Sequence, residues 1–470
     1  MSRRTTLGVE RLLGDPKGAI LRLSIPMMIG MFFQALYNVV DAIWVAGLGA
    51  DALAAVGLFF PFFMLLMALA TGLGTGGSSA ISRRIGEEDH AAADNAAVHT
   101  FVLGLGIALF VSLPFVPFFS GIFRVMGAGA GVIAPATGYA QVLFAGSVFV
   151  FFSNIGTAVL RGEGDARRAM VALILGAGLN IILDPLFIYV LGLGVVGAAW
   201  ATLLSMAVSA AVIFFWLFVR RDTFVRITRS AFHPGRRLTR EILRVGVPST
   251  LSQLSMSLAM FALNWIILRA GGDRGIAIFT SGWRTVTVGT IPLLGMATGV
   301  TAVTGAAFGA RDRAKLRTAY LYAVRLGILI ELGAAALVAA FAVPLAFLFT
   351  YAEGSAGIRP DLITFLRLMT IFLPTVPLGM LTSAMFNGIG QGEKALAVTI
   401  LRTIILQVVA AYGIAIALDV GLVGAWWGIL IGNVTAGVIA FAWGWRTVGR
   451  LHFADAPPGP AARGETGGSP

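Results

Sequence analysis

"LSIPMMIGMFFQALYNVVDAIWVAGLG", residues 23–49, carries a single charged side chain, Asp41. A membrane-crossing helix needs about 20 predominantly apolar residues, so the run is long enough to span. A carboxylate inside it costs about 2.5–3.5 kcal/mol on insertion scales. "NIILDPLFIYVLGLGVVGAAWAT" (180–202) poses the same question with Asp184. If both runs cross a bilayer, each acid reads by default as functional, because packing alone does not need a buried charge.

Composition says that they do cross. Of 470 residues, 58% are hydrophobic and 12% are charged, with a mean hydropathy of +0.89. A soluble domain carries about 25% charged residues. The predicted class is an all-α polytopic membrane protein, and the 59 glycines suit helices that approach closely in lipid. Absence of cysteine excludes disulfides and thiolate metal sites. No cleavable signal is expected, since the first apolar stretch exceeds the roughly 7–15 residues of a signal core.

Spanning segments read as 20–46, 53–82, 96–118, 134–160, 168–191 and 194–219, then 242–268, 275–308, 318–349, 360–386, 395–417 and 421–445, about twelve in all. Lys and Arg gather on one side: Arg11, Lys17, Arg83, Arg84, Arg161, Arg167, Arg168, a linker (220–241) rich in arginine, and Arg311 to Arg317. The other side offers little beyond Arg124, Arg269, Arg274 and Arg359. The positive-inside rule therefore predicts a multi-pass plasma (inner) membrane protein with both termini cytoplasmic. The net charge of +12 reads as topology plus affinity for anionic head groups, not as nucleic-acid binding. Residues 1–19 read as an amino-terminal tail, and 448–470, Pro/Gly-rich, as a disordered one.

The halves repeat. "ILRLSIPMM" (20–28) parallels "ILRVGVPST" (242–250), "LRGEGDARRA" (160–169) parallels "FNGIGQGEKA" (386–395), and "GLGVVGAAWA" (192–201) parallels "DVGLVGAWWG" (419–428). Six spans separate each pair, so 20–219 and 242–447 form two six-helix lobes related by a pseudo-twofold along the membrane normal. Transporters use such repeats to build a central site with alternating access.

Two stretches fit G-x-G-x-x-G, at Gly72, Gly74 and Gly77 and at Gly192, Gly194 and Gly197. Neither follows a strand, so helix packing is expected rather than a dinucleotide site. The histidines show no ligand spacing, no acidic pair suits a Mg²⁺-diphosphate site, and an intramembrane enzyme is the weaker class.

Polar residues in the first six spans are patterned. Gln34, Tyr37, Asn38 and Asp41 recur at three- and four-residue spacings and share a helix face. Asn180 and Asp184 stack one turn apart; Pro185 frees the carbonyl of Ile181, and Pro26 offers a bend in the first span. Asn154 and Thr202 add polar groups in the fourth and sixth spans. Arg284, Glu331 and Arg402 in the second half read either as interhelical pairing and snorkelling or as substrate contacts.

These two quoted segments and the two-lobe repeat resemble the multidrug and toxic compound extrusion (MATE) family over about residues 15–450, most closely its DNA-damage-inducible and archaeal branch. The resemblance implies an efflux antiporter for drug-like, often cationic compounds, coupled to H⁺ or Na⁺ with no other cofactor. It implies a coupling site of Asp41, Tyr37, Asn154, Asn180, Asp184 and Thr202, with Na⁺ held by Asp41, Asp184, Asn180 and Thr202, and substrate contacts at Gln34, Asn38 and Met206. Other branches carry an acid in helix seven and another in helix ten. Here 249–268 has none and Asp361 lies at an outer edge, which shifts coupling to the N-lobe. A monomer surrounded by membrane lipids is expected. A flippase for a lipid-linked saccharide is the alternative reading.

Overall fold

The computed structural model describes residues 5–351, 353–451 and 453; of the predicted tail, 448–470, residues 448–450 continue the last helix, Leu422–Arg450, while His452 and residues 454–470 lie outside the described residues. Among the described residues there are eleven apolar helical runs able to cross a membrane, counting the pair bent by 51° at Gly146 as one. The elements that matter are α1 (Leu7–Leu13), α2 (Pro16–Ala46), α3 (Ala50–Gly86), α4 (His90–Ile107), α5 (Ala130–Ala145), α6 (Ser147–Gly162), α7 (Ala166–Pro185), α8 (Gly194–Phe214), α9 (Arg236–Gly309), α10 (Arg313–Ala340), α11 (Arg359–Phe372), α12 (Val376–Gly388), α13 (Gly392–Ile400) and α14 (Leu422–Arg450). Helix α9 breaks at Gly272, where φ is 59° and ψ −157°. Both its ends, near Ile242 and Ala306, lie against α3, so it doubles back and crosses twice. The all-helical, twelve-crossing class expected from hydropathy is what the chain adopts. Residues 7–13, read as part of a tail, are helical because Thr6 accepts a bond from the Val9 N–H and caps them.

The repeat is visible in the turns on the side of the amino terminus. Glu88–Asp89 and Arg311–Asp312 are six crossings apart, and in each a left-handed residue precedes an aspartate that caps the next helix, on Ala92 N at 2.9 Å and Lys315 N at 2.8 Å. Gly164 and Gly390, paired by the sequence repeat, both take positive φ at the corresponding turns. On the opposite side Gly194 and Gly421, also paired, take φ 56° and 73° at the starts of α8 and α14. Gly192 and Gly194 are therefore turn glycines with open space around them, not the packing glycines expected; Gly197 does pack, against the Phe187 carbonyl. The other motif packs throughout: Gly72 meets Thr250, Gly74 meets Ala158, and Gly77 meets Thr100.

Glycine packing also closes the two lobes on each other. Gly86 faces the Ala306 carbonyl, Gly309 faces that of Arg83, and Gly295 and Gly299 admit Met28 and Ser24 of α2. Arg83 and Arg84 both reach Glu241, at 2.9 and 2.7 Å, and the Ser79 hydroxyl donates to the Gly388 carbonyl at 3.1 Å. All these contacts belong to the half of the molecule nearer the termini. The lobes are shut there.

The arginine-rich linker is bound down as well. Asp94 accepts from Arg226 N at 2.7 Å, and buried Glu163 accepts from Val225 N at 2.9 Å. Burial pushes the Glu163 carboxyl up to about 8. The folded chain thus holds this proton more tightly than the unfolded one, and that stabilisation fades as pH rises towards the folded value. Thermal stability is expected to fall between about pH 5 and about pH 8, and Glu163→Gln, measured by the same melts, should flatten that dependence. The lobe contact is checked separately. A Gly305 Cβ would sit 3.3 Å from that of Ser82, close to disulfide geometry. In this cysteine-free chain S82C/G305C should cross-link under mild oxidant, seen as a reductant-sensitive gel shift.

Candidate functional site

Asp41 lies five residues before the end of α2, and Asp184 is the penultimate residue of α7. Both acids therefore sit towards the side of the bundle away from the termini rather than at mid-span. Gly30 lets α2 settle onto α7, its missing Cβ lying 3.1 Å from Leu173. Beyond Pro185 the chain widens into a π turn, Leu186–Val190. That turn carries Tyr189, whose hydroxyl donates to the Trp44 carbonyl at 2.5 Å while the two rings meet edge to face at 6.1 Å. The two helices are thus tied near the depth of the acids. Sequence reading missed Tyr189, an aromatic with no periodic partner.

The carboxyl groups of Asp41 and Asp184 lie close enough to interact electrostatically. Asp184 is fully buried. Its Oδ1 accepts from Asn180 Nδ2 at 3.3 Å, and that same nitrogen reaches Thr202 Oγ1 at 3.2 Å. Three oxygens in this group are buried without a partner: Asp41 Oδ1, Asp184 Oδ2 and Asn180 Oδ1. Buried acceptors are normally satisfied, and orphaned oxygens of this type suit a proton or a hard cation. Among the described residues no group of three or more His, Cys, Asp or Glu could hold a metal ion.

Tyr37 is buried, within electrostatic range of both acids and hydrogen-bonding reach of Gln34. Tyr139 of α5, buried on Phe59, faces Asp41, Asp184 and Tyr37 in the same way. Nothing in the sequence singles out Tyr139, because its place depends on the direction of α5, set by the 51° break at Gly146, which admits Leu203. Asn154, on the other limb of the break, spends its amide on the Val150 carbonyl at 2.9 Å, outside the hydrogen-bonded set. Asn38 is exposed, Gln34 is half-buried one turn deeper, and half-buried Met206 lies one turn beyond Thr202 on the same face of α8. Helix α2 runs through Pro26 as unbroken helix.

The C-lobe has its own polar chain, unnoticed in the sequence: Gln407 donates to Asn433 at 3.0 Å and Asn433 to Thr375 at 2.7 Å. Glu331 is fully buried with both oxygens unpartnered, Arg402 lays its stem against Gly379, and Arg284 is exposed. Asp361 pairs with Arg274 at 2.7 Å at the rim.

Comparison with known proteins places this geometry. The family model MatE matches residues 26–186 and 248–447. "Multidrug export protein MepA" of Staphylococcus aureus (strain NCTC 8325 / PS 47) is 27% identical over 421 residues, 88% of this chain and 90% of its own. A solved structure described as the outward-facing conformation of a multidrug resistance MATE family transporter is 55% identical, covers 95% of this chain and 99% of its own, and superposes with a TM-score of 0.92. A MATE solved in a bent conformation is 54% identical over 95% of this chain and 98% of its own, with a TM-score of 0.90.

Removing the amide that serves both Asp184 and Thr202 leaves two buried acceptors bare. Asn180→Ala should therefore cost about 1–3 kcal/mol, measured by denaturation in detergent, and Asn180→Asp should not restore the loss.

Proposed function

The chain belongs to the MATE family, and from that premise we propose that it is an efflux antiporter that exports drug-like, amphipathic and often cationic compounds by alternating access. It is a multi-pass membrane protein; the arginine-rich side, with both termini, faces the cytoplasm, and the transporter works as a monomer among membrane lipids. The observation that carries the reading is the closeness of Asp41 and Asp184 among buried oxygens that have no partner, in a molecule whose lobes close on each other on the side of the termini.

Two carboxyls held close together away from water repel when both are ionised. A proton or Na⁺ entering from the side away from the termini relieves that repulsion, and losing it on the other side restores it. Asn180 and Thr202 fix Asp184, while Tyr37 and Tyr139 line the pair and keep water from it. Gln34, Asn38 and Met206, on the adjoining faces of α2 and α8, contact the substrate; Asn154 joins the site in another state of the cycle. Neutralising Asp41 changes the hydrogen bonding along α2, and Pro26, which leaves the Arg22 carbonyl without its helical donor, is where that helix bends. Support for a bend comes from a relative that has been solved in a bent conformation.

Asp41→Asn and Asp184→Asn should each insert and fold yet lose gradient-driven efflux of ethidium, assayed in inverted vesicles. Export at the wild-type rate from either variant would remove the pair from the mechanism. Uptake of the same dye under a pH gradient alone, then a sodium gradient alone, identifies the coupling ion. Labelled lipid-linked saccharide crossing the bilayer in place of dye would overturn the drug-export reading.

A further inference from the structure

At the terminus side of the N-lobe a cavity of about 370 Å³ lies between α1, the start of α2 and the turn that opens α7, with Arg11, Arg22, Arg167, Arg168, Asp165 and Asp222 in its wall. Both aspartates are already engaged. Asp222 holds Arg168 at 2.6 Å and Arg220 at 2.8 Å, and Asp165 caps α7 through the Arg168 N–H at 3.1 Å. None of the ion pairs among the described residues involves Arg11, Arg22 or Arg167. The wall therefore keeps a surplus of two positive charges, carried by guanidinium groups whose planar forks match phosphate oxygens.

The place of the cavity decides which phosphate. Arg22 is exposed on α2, and Ile25 and Ile29, exposed on the same face, follow it into the membrane. The lobes are shut at this depth through Ser24 and Met28 on another face of α2, so the face with Arg22, Ile25 and Ile29 looks onto lipid. A basic head-group pocket continued by an apolar strip is the geometry an anionic lipid fits. We propose that this cavity binds the phosphate-bearing head group of an anionic phospholipid in the leaflet on the amino-terminal side, the cytoplasmic one in the orientation proposed above. The occupant would also fasten α1. That helix already rests on the α6–α7 turn through the close approach of Gly8 to Gly164, and its Leu13 carbonyl accepts from Lys315 of the other lobe. A lipid bound here holds a helix that bridges both lobes on their closed side.

The test uses the full chain, purified in neutral detergent and mixed with phosphatidylglycerol, phosphatidylcholine or inorganic phosphate, and read by native mass spectrometry and thermal melts. Phosphatidylglycerol should be retained in preference to phosphatidylcholine and should raise the melting temperature, less so at high salt. R11Q/R22Q/R167Q should bind it about tenfold more weakly or worse. R236Q/R237Q/R240Q, which removes the same charge from the start of α9, should bind it as the wild type does. R167Q alone, at an exposed position, gives a partial loss and decides the matter should the triple variant not fold. Undiminished retention by R11Q/R22Q/R167Q, or by R167Q in that event, would overturn the site. Equal retention of phosphatidylcholine would overturn its anion selectivity, and equal stabilisation by inorganic phosphate would assign the cavity to a free anion instead of a lipid.

Discussion

Two carboxyl groups held close together in a membrane bundle, one of them fully buried, need something to offset their charge, and the arrangement of the N-lobe follows from that need. Asn180 supplies one donor to Asp184 and one to Thr202, and cannot also serve Asp41. Three buried oxygens are left over. In a structure where buried acceptors are normally paired, such a deficit marks the place where a proton or a cation comes and goes. The elements around it hold the two acids at one depth: a glycine that lets α2 lie on α7, and a tyrosine hydroxyl that ties their far ends together.

The lobes are joined by a different kind of contact. Missing side chains at Gly72, Gly86, Gly295 and Gly309 bring backbone against backbone, an arrangement that packs well in lipid, where helices gain little from hydrophobic burial against each other. Glu241, shared by Arg83 and Arg84, adds charge to the same seam. Because these contacts have little apolar side-chain surface to lose, they can separate without exposing a large core, as a molecule that must open on either side requires.

The linker and α1 belong to that closed side too. Glu163 and Asp94 take backbone N–H groups of the linker, and α1 touches the N-lobe at Gly164 and the C-lobe at Lys315. The side that is shut is thus also the side where titratable groups, arginines and the membrane surface come together. Opening it means disturbing all of them.

Much of this was legible in the chain itself. A run of apolar residues long enough to cross a bilayer has one stable conformation there, since backbone groups must be satisfied within the segment; so hydropathy alone gives the helices, and the positions of Lys and Arg predict their orientation. Asp41 and Asp184 stood out for the same reason, as charges where charge is costly. What the order of residues could not reveal is which helices touch. Tyr139 faces the acids from a helix whose direction is set by the break at Gly146, and Tyr189 reaches the Trp44 carbonyl from the turn that widens after Pro185. Asn154, by contrast, turns into its own helix. Gly192 and Gly194 look like packing glycines yet serve a turn, because a spacing motif does not say whether a neighbour lies within reach. The closeness of two acids some 140 residues apart was decided by tertiary packing, because contact between distant segments depends on how helix surfaces fit, which local sequence does not encode.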